Sequence, residues 1–466
     1  MVPQNLYFGG GASSTVISPV AVGLLAIIFA LIFVLPRKYV LIPVLFGAFL
    51  IPQGNVLVVA GAHLMPSRVI ALGGLLLLVW VRLSSRGFLF VSRLNSMDVV
   101  FSLWAICHAA AFILLWKSSD AMFNQAGFLV SSFGMYFFLR YLIRDESDIY
   151  RVIKILAILV AINALGMLYE QVTRQNLFDF LGGVQYASAM RGGYIRSQGA
   201  FQHPILAGVF GATLMPLFVL LWKTKRSRML AVVGLISSTV MVITSFSSTP
   251  VLAYAAGIVG ICFWPMRKHM RPLRWELIPG LAAVQLIMRA PLWDLIDRAD
   301  VFKVSSGHQR AMLVNNFIRQ FGDWWLVGTR NNAYWGTEMW DTSNQYVQEG
   351  ESGGLLAFAL LIAIISVGFG RLGDARKAVE GDRKREWFFW LLGVALFANV
   401  TAFFGVSYWD QTQVAWILLL VLICAATAKA KKPDQVTESD FRTELPDDAP
   451  SLEVTSVVVR GCYESQ

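Results

Sequence analysis

The residues best suited to chemistry lie in two polar interruptions of an otherwise apolar chain. The first runs from Gln171 to Pro204, contains Arg191, and closes with Arg196-Ser197-Gln198-Gly199-Ala200-Phe201-Gln202-His203-Pro204. Arginine presents a fixed fork of donors that suits phosphate oxygens. Gly199 permits tight backbone geometry, and Pro204 suits the first turn of a following helix. Free backbone N–H groups are therefore expected beside Arg196, a second feature that favours phosphate. The plainer reading of Arg196 is a headgroup-level anchor at the end of a span.

The second interruption, residues 291 to 350, holds Arg310 and Arg319 and follows Arg289. Ser305-Ser306-Gly307 could cap a helix from His308 to Phe321. Val314, Phe317, Ile318 and Phe321 would share one face of it, with Asn315, Asn316 and Arg319 opposite. Such a helix is expected at a membrane surface. Arg310 falls in its first turn, where the helix dipole disfavours a cation; a bound anion or an ion pair with an aspartate would account for it equally. Further on, Trp324-Trp325-Leu326-Val327-Gly328 reads as an interfacial aromatic belt or as the wall of a lipid or sugar groove. Asp341-Thr342-Ser343-Asn344-Gln345-Tyr346, Glu349, Glu351 and the pair Gly353-Gly354 then gather carboxylates, amides and a tyrosine near a span. Asn344, Gln345 and Tyr346 suit sugar hydroxyls, and Asp341 or Glu349 could accept a proton from one. Each acid alone reads first as a solvated loop residue.

These loops must be held by the apolar segments around them. Hydrophobic residues make up 56% of the chain and charged residues 15%, against about 25% charged in soluble domains, which places the chain in the membrane class. Apolar stretches occur at 17–35, 39–59, 69–82, 98–116, 122–143, 150–170, 205–222, 229–246, 250–264, 276–290, 352–370, 387–404 and 413–428. The second is interrupted at Ile51-Pro52-Gln53-Gly54 and either ends or bends there, so about 12–13 transmembrane helices are expected. Most of the Lys and Arg residues fall on alternate connections, which by the positive-inside rule are cytoplasmic. The net charge of +10 is then topological and not a nucleic-acid footprint. The expected organisation is a multi-span domain over residues 1–428, with loop 291–350 on the periplasmic face, and a disordered cytoplasmic tail over 429–466. The cysteines lie in spans or the tail, so no disulfide framework is expected. The histidines are scattered. Asp294, Asp297 and Asp300 share a helical face but lack ligand partners, so no metal site is legible. His108, mid-span, reads as a buried hydrogen-bonding residue. No nucleotide-binding glycine loop occurs.

Together the two loops resemble the superfamily of O-antigen ligases and O-antigen polymerases of bacterial envelopes. That family has an Arg-x-x-Gly-x-Phe-x-His-Pro-like stretch before a span, matched here by Arg196, Gly199, Phe201, His203 and Pro204. Arg310 would match its loop arginine, Trp325-Leu326-Val327-Gly328 partly matches a glycine turn, and Ser343-Asn344 stands where the family has His-Asn. The resemblance covers residues 122 to 428. It implies an inner-membrane glycosyltransferase of GT-C-like architecture that needs no metal or other cofactor. Its partners would be an undecaprenyl-diphosphate-linked glycan, membrane lipid and a chain-length regulator, with no nucleic acid. Ser343 in place of histidine favours a repeat-unit polymerase over a lipid A-core ligase. The rival from another class is a glycan transporter or flippase. Such carriers tend to show internal repeats and midplane polar residues, and no repeat is evident.

Overall fold

The computed structural model describes residues 15–59, 62–84, 94–222, 225–288, 291 and 307–428. Arg289, Asp294, Asp297, Asp300, Ser305, Ser306, Cys462 and the 429–466 tail lie outside the described residues. The helices are α1 (Pro19–Val34), α2 (Arg37–Leu50), α3 (Pro66–Ser84), α4 (Ser96–Trp116), α5 (Ser119–Leu142), α6 (Glu146–Thr173), α7 (Pro204–Leu221), α8 (Arg228–Thr244), α9 (Ser248–Cys262) and α10 (Met270–Ile287). A loop helix α11 (Gly307–Arg319) precedes α12 (Gln345–Ala378), α13 (Arg383–Ala402) and α14 (Asp410–Thr427). Each apolar stretch read from the sequence carries a helix, and α2 ends at Ile51-Pro52 without resuming. Helices α3, α4, α6, α7, α12 and α14 are long and apolar enough to cross a membrane; α1, α8 and α9 are shorter apolar helices. The architecture is all-α and multi-pass, with two small hairpins, β1–β2 (Leu57–Val59, Ala62–Leu64) and β3–β4 (Ala189–Arg191, Tyr194–Arg196).

Helix α7 is the innermost element. It is apolar all round, and nearly every side chain from Pro204 to Leu221 is buried, the pattern of a helix enclosed on all sides. Helices α8, α9 and α13 pack on it. Lipid tails are as apolar as leucine, so helix contacts in a membrane depend on close fit between small residues. At the α3–α5 seam, a Cβ on Gly134 would come within 2.9 Å of the Ala71 carbonyl oxygen. The apolar residues left exposed, such as Ile27, Leu76, Ile106 and Leu165, face outward where lipid would lie.

Polar contacts sort the helix ends into two sets. In one set, Arg140 at the end of α5 grips Asp98 at the start of α4 (Nε–Oδ1 2.7 Å, Nη2–Oδ2 3.0 Å), and the Tyr136 hydroxyl donates to the same Oδ1 at 2.7 Å. Arg37 pairs with Asp148 at 3.3 Å, and Arg267 with Glu386 at 2.7 Å. In the other set, Ser18 bonds the Leu181 carbonyl at 2.7 Å, and Gln345 N–H bonds the Phe403 carbonyl at 2.9 Å. The basic residues are thus partly neutralised by helix-start acids on their own side. Removing one member of a buried pair strands the other charge, at a cost of about 3–5 kcal/mol. Asp98→Ala is therefore expected to lower the Tm of the solubilised protein by several degrees, and an unchanged Tm would show the pair to be dispensable.

Candidate functional site

Gly192 and Gly193 both have positive φ, 56° and 82°, as a two-residue type I′ turn requires, and they join β3 to β4. In that antiparallel register Arg191 lies opposite Tyr194, and Arg196 opposite Ala189. Alternate side chains share a face, so Arg191 and Arg196 fall on the same side of the ribbon. The residues that follow are fastened to the surrounding helices. Ser197 N–H donates to the Thr244 carbonyl at 3.0 Å. Glu170, near the end of α6, accepts from the N–H groups of Gln198 (3.0 Å) and Gly199 (2.6 Å), and Asn163 Oδ1 accepts from Ala200 N–H at 3.3 Å. Gly199 has a φ of +60°, and a Cβ there would press on Asn163 Oδ1 at 3.1 Å. This corrects the expectation of free backbone donors beside Arg196: Thr244, Glu170 and Asn163 occupy them. An anion at this place would meet side chains and not a backbone nest.

Arg191, Arg196, His203, Arg310 and Asp341 line one cavity of about 350 Å³, within the range of small-molecule sites. Arg196 and Arg310 are buried, at 7% and 5% exposure, yet they come from loops on opposite sides of α8–α10. Arg196 Nη2 donates to Ser247 Oγ at 2.7 Å. Among the described residues no carboxylate pairs with Arg191 or Arg196. Burial, then the charges of Arg191 and Arg310, pull the Arg196 pKa down to about 10. The guanidinium remains protonated at neutral pH, in a place where it repels its neighbours and lacks an acid. An anion bound here would relieve both conditions.

His203 is the N-cap of α7, where its Nδ1 accepts the Ile205 N–H at 3.2 Å. The ring proton must then sit on Nε2. Burial and the three arginines hold the pKa at about 4, so the ring stays neutral and acts as a donor, not a base. Below about pH 6.5 the unfolded chain binds a proton that the folded ring refuses until about pH 4, so this group lowers stability as pH falls through that window. His203→Asn keeps a capping oxygen and is expected to remove that acid sensitivity of Tm. A wild-type Tm flat from pH 6.5 to 4 would contradict this.

The acids divide. Asp341 faces the cavity, and Ser343, which also lines it, donates to Asp341 Oδ1 at 2.8 Å. Glu349 faces away: its carboxylate takes the Trp104 indole N–H (2.9 Å), the Gln345 amide (2.8 Å) and His108 Nδ1 (3.3 Å), locking the start of α12 onto α4. His108 is thus a hydrogen-bonding residue, as expected, but half-buried and not buried. Asn344 caps α12 through the N–H groups of Tyr346 and Val347. Gln345 bridges Glu349 and the Tyr408 N–H, and the Tyr346 hydroxyl donates to the Val400 carbonyl at 3.0 Å. Gln202 sits against Gly54. Glu349, Asn344, Gln345, Tyr346 and Gln202 do not line the cavity. Gln309, Glu338, Trp340, Ser407 and Trp409 do line it, and none was picked out from sequence.

The large loop is structured around its own apolar cluster of Leu313, Phe317, Trp324, Trp335, Met339 and Val347. Asn316, expected on the polar face, is buried and donates to the Trp335 carbonyl at 3.0 Å. Ile318 and Phe321, expected on the apolar face, are 49% and 45% exposed. The loop is seated on a break in α12: Gly354 leaves helical geometry (φ 71°, ψ −173°), and Leu355 N–H donates to the Trp325 carbonyl at 2.8 Å. Thr329 N–H donates to the Glu351 carbonyl at 2.8 Å. The glycine turn and the glycine pair noted in the sequence are two halves of one joint. No family model matches the chain, and a search of curated proteins finds no match.

Proposed function

We propose that the chain is a membrane glycosyltransferase that polymerises polyprenyl-diphosphate-linked glycan repeat units in the inner membrane of a bacterium, with the cavity on the periplasmic side. The observation that carries this reading is the meeting of Arg191, Arg196 and Arg310 with Asp341 in one cavity. It supplies a cationic pole for a polyanion and a proton acceptor together. In the reaction, an acceptor hydroxyl oxygen attacks the anomeric carbon from the face opposite the diphosphate. The bond between the anomeric carbon and the diphosphate oxygen breaks, its electron pair leaves with the diphosphate, and the anomeric centre inverts. The arginines offset the charge that grows on the leaving group, the neutral His203 adds an Nε2–H donor, and Asp341 receives the acceptor's proton. Glu349 takes no part in that step, because its oxygens already serve Trp104, Gln345 and His108.

The test is reconstitution of the purified chain in liposomes with a polyprenyl-diphosphate oligosaccharide. Lengthening of the lipid-linked glycan supports polymerisation. Transfer off the carrier onto another acceptor would replace it with ligation, and movement across the bilayer without bond formation would replace it with transport.

A further inference from the structure

We propose that Trp340 and Trp409 form a subsite for the acceptor sugar ring that selects neutral over acidic glycans; this rests on the glycosyl-transfer reading above. Their place sets these two rings apart from the other described tryptophans: both line the cavity. Trp104, Trp324, Trp335 and Trp390 each give the indole N–H to an acceptor. Like Trp80, Trp222 and Trp325, Trp340 and Trp409 have neither an indole acceptor nor an aromatic or cationic ring partner among the described residues. Both nevertheless line the cavity, at 47% and 38% exposure. Half-exposed tryptophans are common where a protein meets a bilayer, but that reading does not account for two of them facing arginines inside a polar cavity.

The backbone beside each ring is clamped while the ring stays open. Before Trp340, the Met339 carbonyl accepts from Asn332 Nδ2 at 2.6 Å, and after it Asp341 N–H donates to the Glu338 carbonyl at 3.2 Å. Glu338 itself holds a left-handed φ of 59°, with its carbonyl also taken by Gln309 Nε2 at 2.9 Å. At Trp409, the carbonyl accepts the Thr412 hydroxyl at 2.6 Å, and the preceding Tyr408 is anchored through its hydroxyl to Asn399 Oδ1 at 2.9 Å. Asp410, directly after it, is left-handed at φ 51°. A left-handed backbone at a residue other than glycine persists only where its surroundings enforce it, and such positions cluster at ligand sites. Rigid placement of an unfilled aromatic face is what stacking on the C–H face of a sugar ring requires, and such pre-organised tryptophans dominate binding energy when they are covered.

The same wall sets the charge preference. Glu338 and Asp341 flank Trp340 in sequence, both line the cavity, and Ser343 and Ser407 add hydroxyls. Carboxylates and hydroxyls suit the hydroxyl groups of a neutral ring, whereas a uronic acid stacked there would meet two like charges. The arginines of the cavity are committed to the diphosphate on this reading, so they do not rescue it.

The test uses the full chain in nanodiscs, with chitotetraose and cellotetraose as neutral probes, tetragalacturonate as the acidic probe and inorganic pyrophosphate as the probe of the arginine wall. A neutral tetrasaccharide is expected to bind. Trp340→Ala and Trp409→Ala should each weaken it roughly tenfold or more, and the phenylalanine variants should keep most of the binding. Tetragalacturonate should bind more weakly than the neutral probes, and pyrophosphate affinity should be unchanged by the tryptophan variants. If an alanine variant fails to fold, indole N–H NMR signals of the wild type, assigned with the phenylalanine variants, must shift with the neutral probe. Binding of no neutral probe, acidic binding as tight as neutral, or tryptophan variants that bind like wild type would each overturn the subsite. Loss of pyrophosphate binding alone would instead overturn the diphosphate reading and leave the sugar subsite standing.

Discussion

Reconstituted protein carrying Arg196→Ala or Arg310→Ala is expected to turn over a polyprenyl-diphosphate glycan at least about a hundredfold more slowly than wild type, since removal of one preorganised charge donor costs roughly 10²–10³ in rate. The reason is the location of the two groups. Each is buried, each lines the same cavity, and charge builds on the diphosphate as the sugar leaves. Lysine is expected to rescue Arg196 only in part. It keeps the charge but cannot both bond Ser247 Oγ and present a planar fork to phosphate. The double variant should be little worse than either single one if the two arginines act on one group, as residues that work as a unit are non-additive. Single-turnover rates of the four variants and the wild type, compared at one pH, check this. Normal rates in either single variant would remove that arginine from the chemistry.

Gly328→Ala is expected to have the largest structural effect. Gly328 has a φ of 96°, and a Cβ there would collide with the Glu351 carbonyl oxygen. That oxygen cannot yield, because it holds the Thr329 N–H. The partner half of the joint is equally tight: a Cβ on Gly354 would come 2.6 Å from the Leu326 carbonyl oxygen. Strain of this kind exceeds the usual range for a surface change and should fall in the several-kcal/mol tail. The outcome expected is unseating of the Leu313–Val347 cluster, which carries Arg310 and Asp341 into the cavity. Limited proteolysis should then cut between residues 307 and 344 while the helical bundle stays resistant. A variant as resistant as wild type would show that the joint can relax.

The contrast between what the residues announced and what they concealed has physical causes. Helix positions were legible because apolar length alone encodes them, and Pro204 marks the first turn of α7. The pairing of the two arginine loops was approached through residue type, since the guanidinium fork suits phosphate oxygens. The hairpin that aligns Arg191 with Arg196 has a sequence signal in Gly192-Gly193, a type I′ pair, but strands of three residues carry too little alternation to mark it as a ribbon. Glu170 was hidden inside an apolar helix, and nothing local reveals that its carboxylate holds two loop N–H groups. Glu349 and Asp341 are alike as sequence, and only the third dimension turns one toward Trp104 and the other toward the cavity. Asn316 looked like a surface residue because its partner, the Trp335 carbonyl, is a backbone group that no side-chain pattern encodes.

The most direct test of the arginine cavity is equilibrium binding of undecaprenyl diphosphate and undecaprenyl monophosphate to the nanodisc-embedded protein. Tight diphosphate binding, markedly weaker monophosphate binding and loss of the preference in the Arg196→Ala, Arg310→Ala double variant are predicted. Equal affinity for the two lipids, or a double variant that binds the diphosphate as wild type does, would contradict the account.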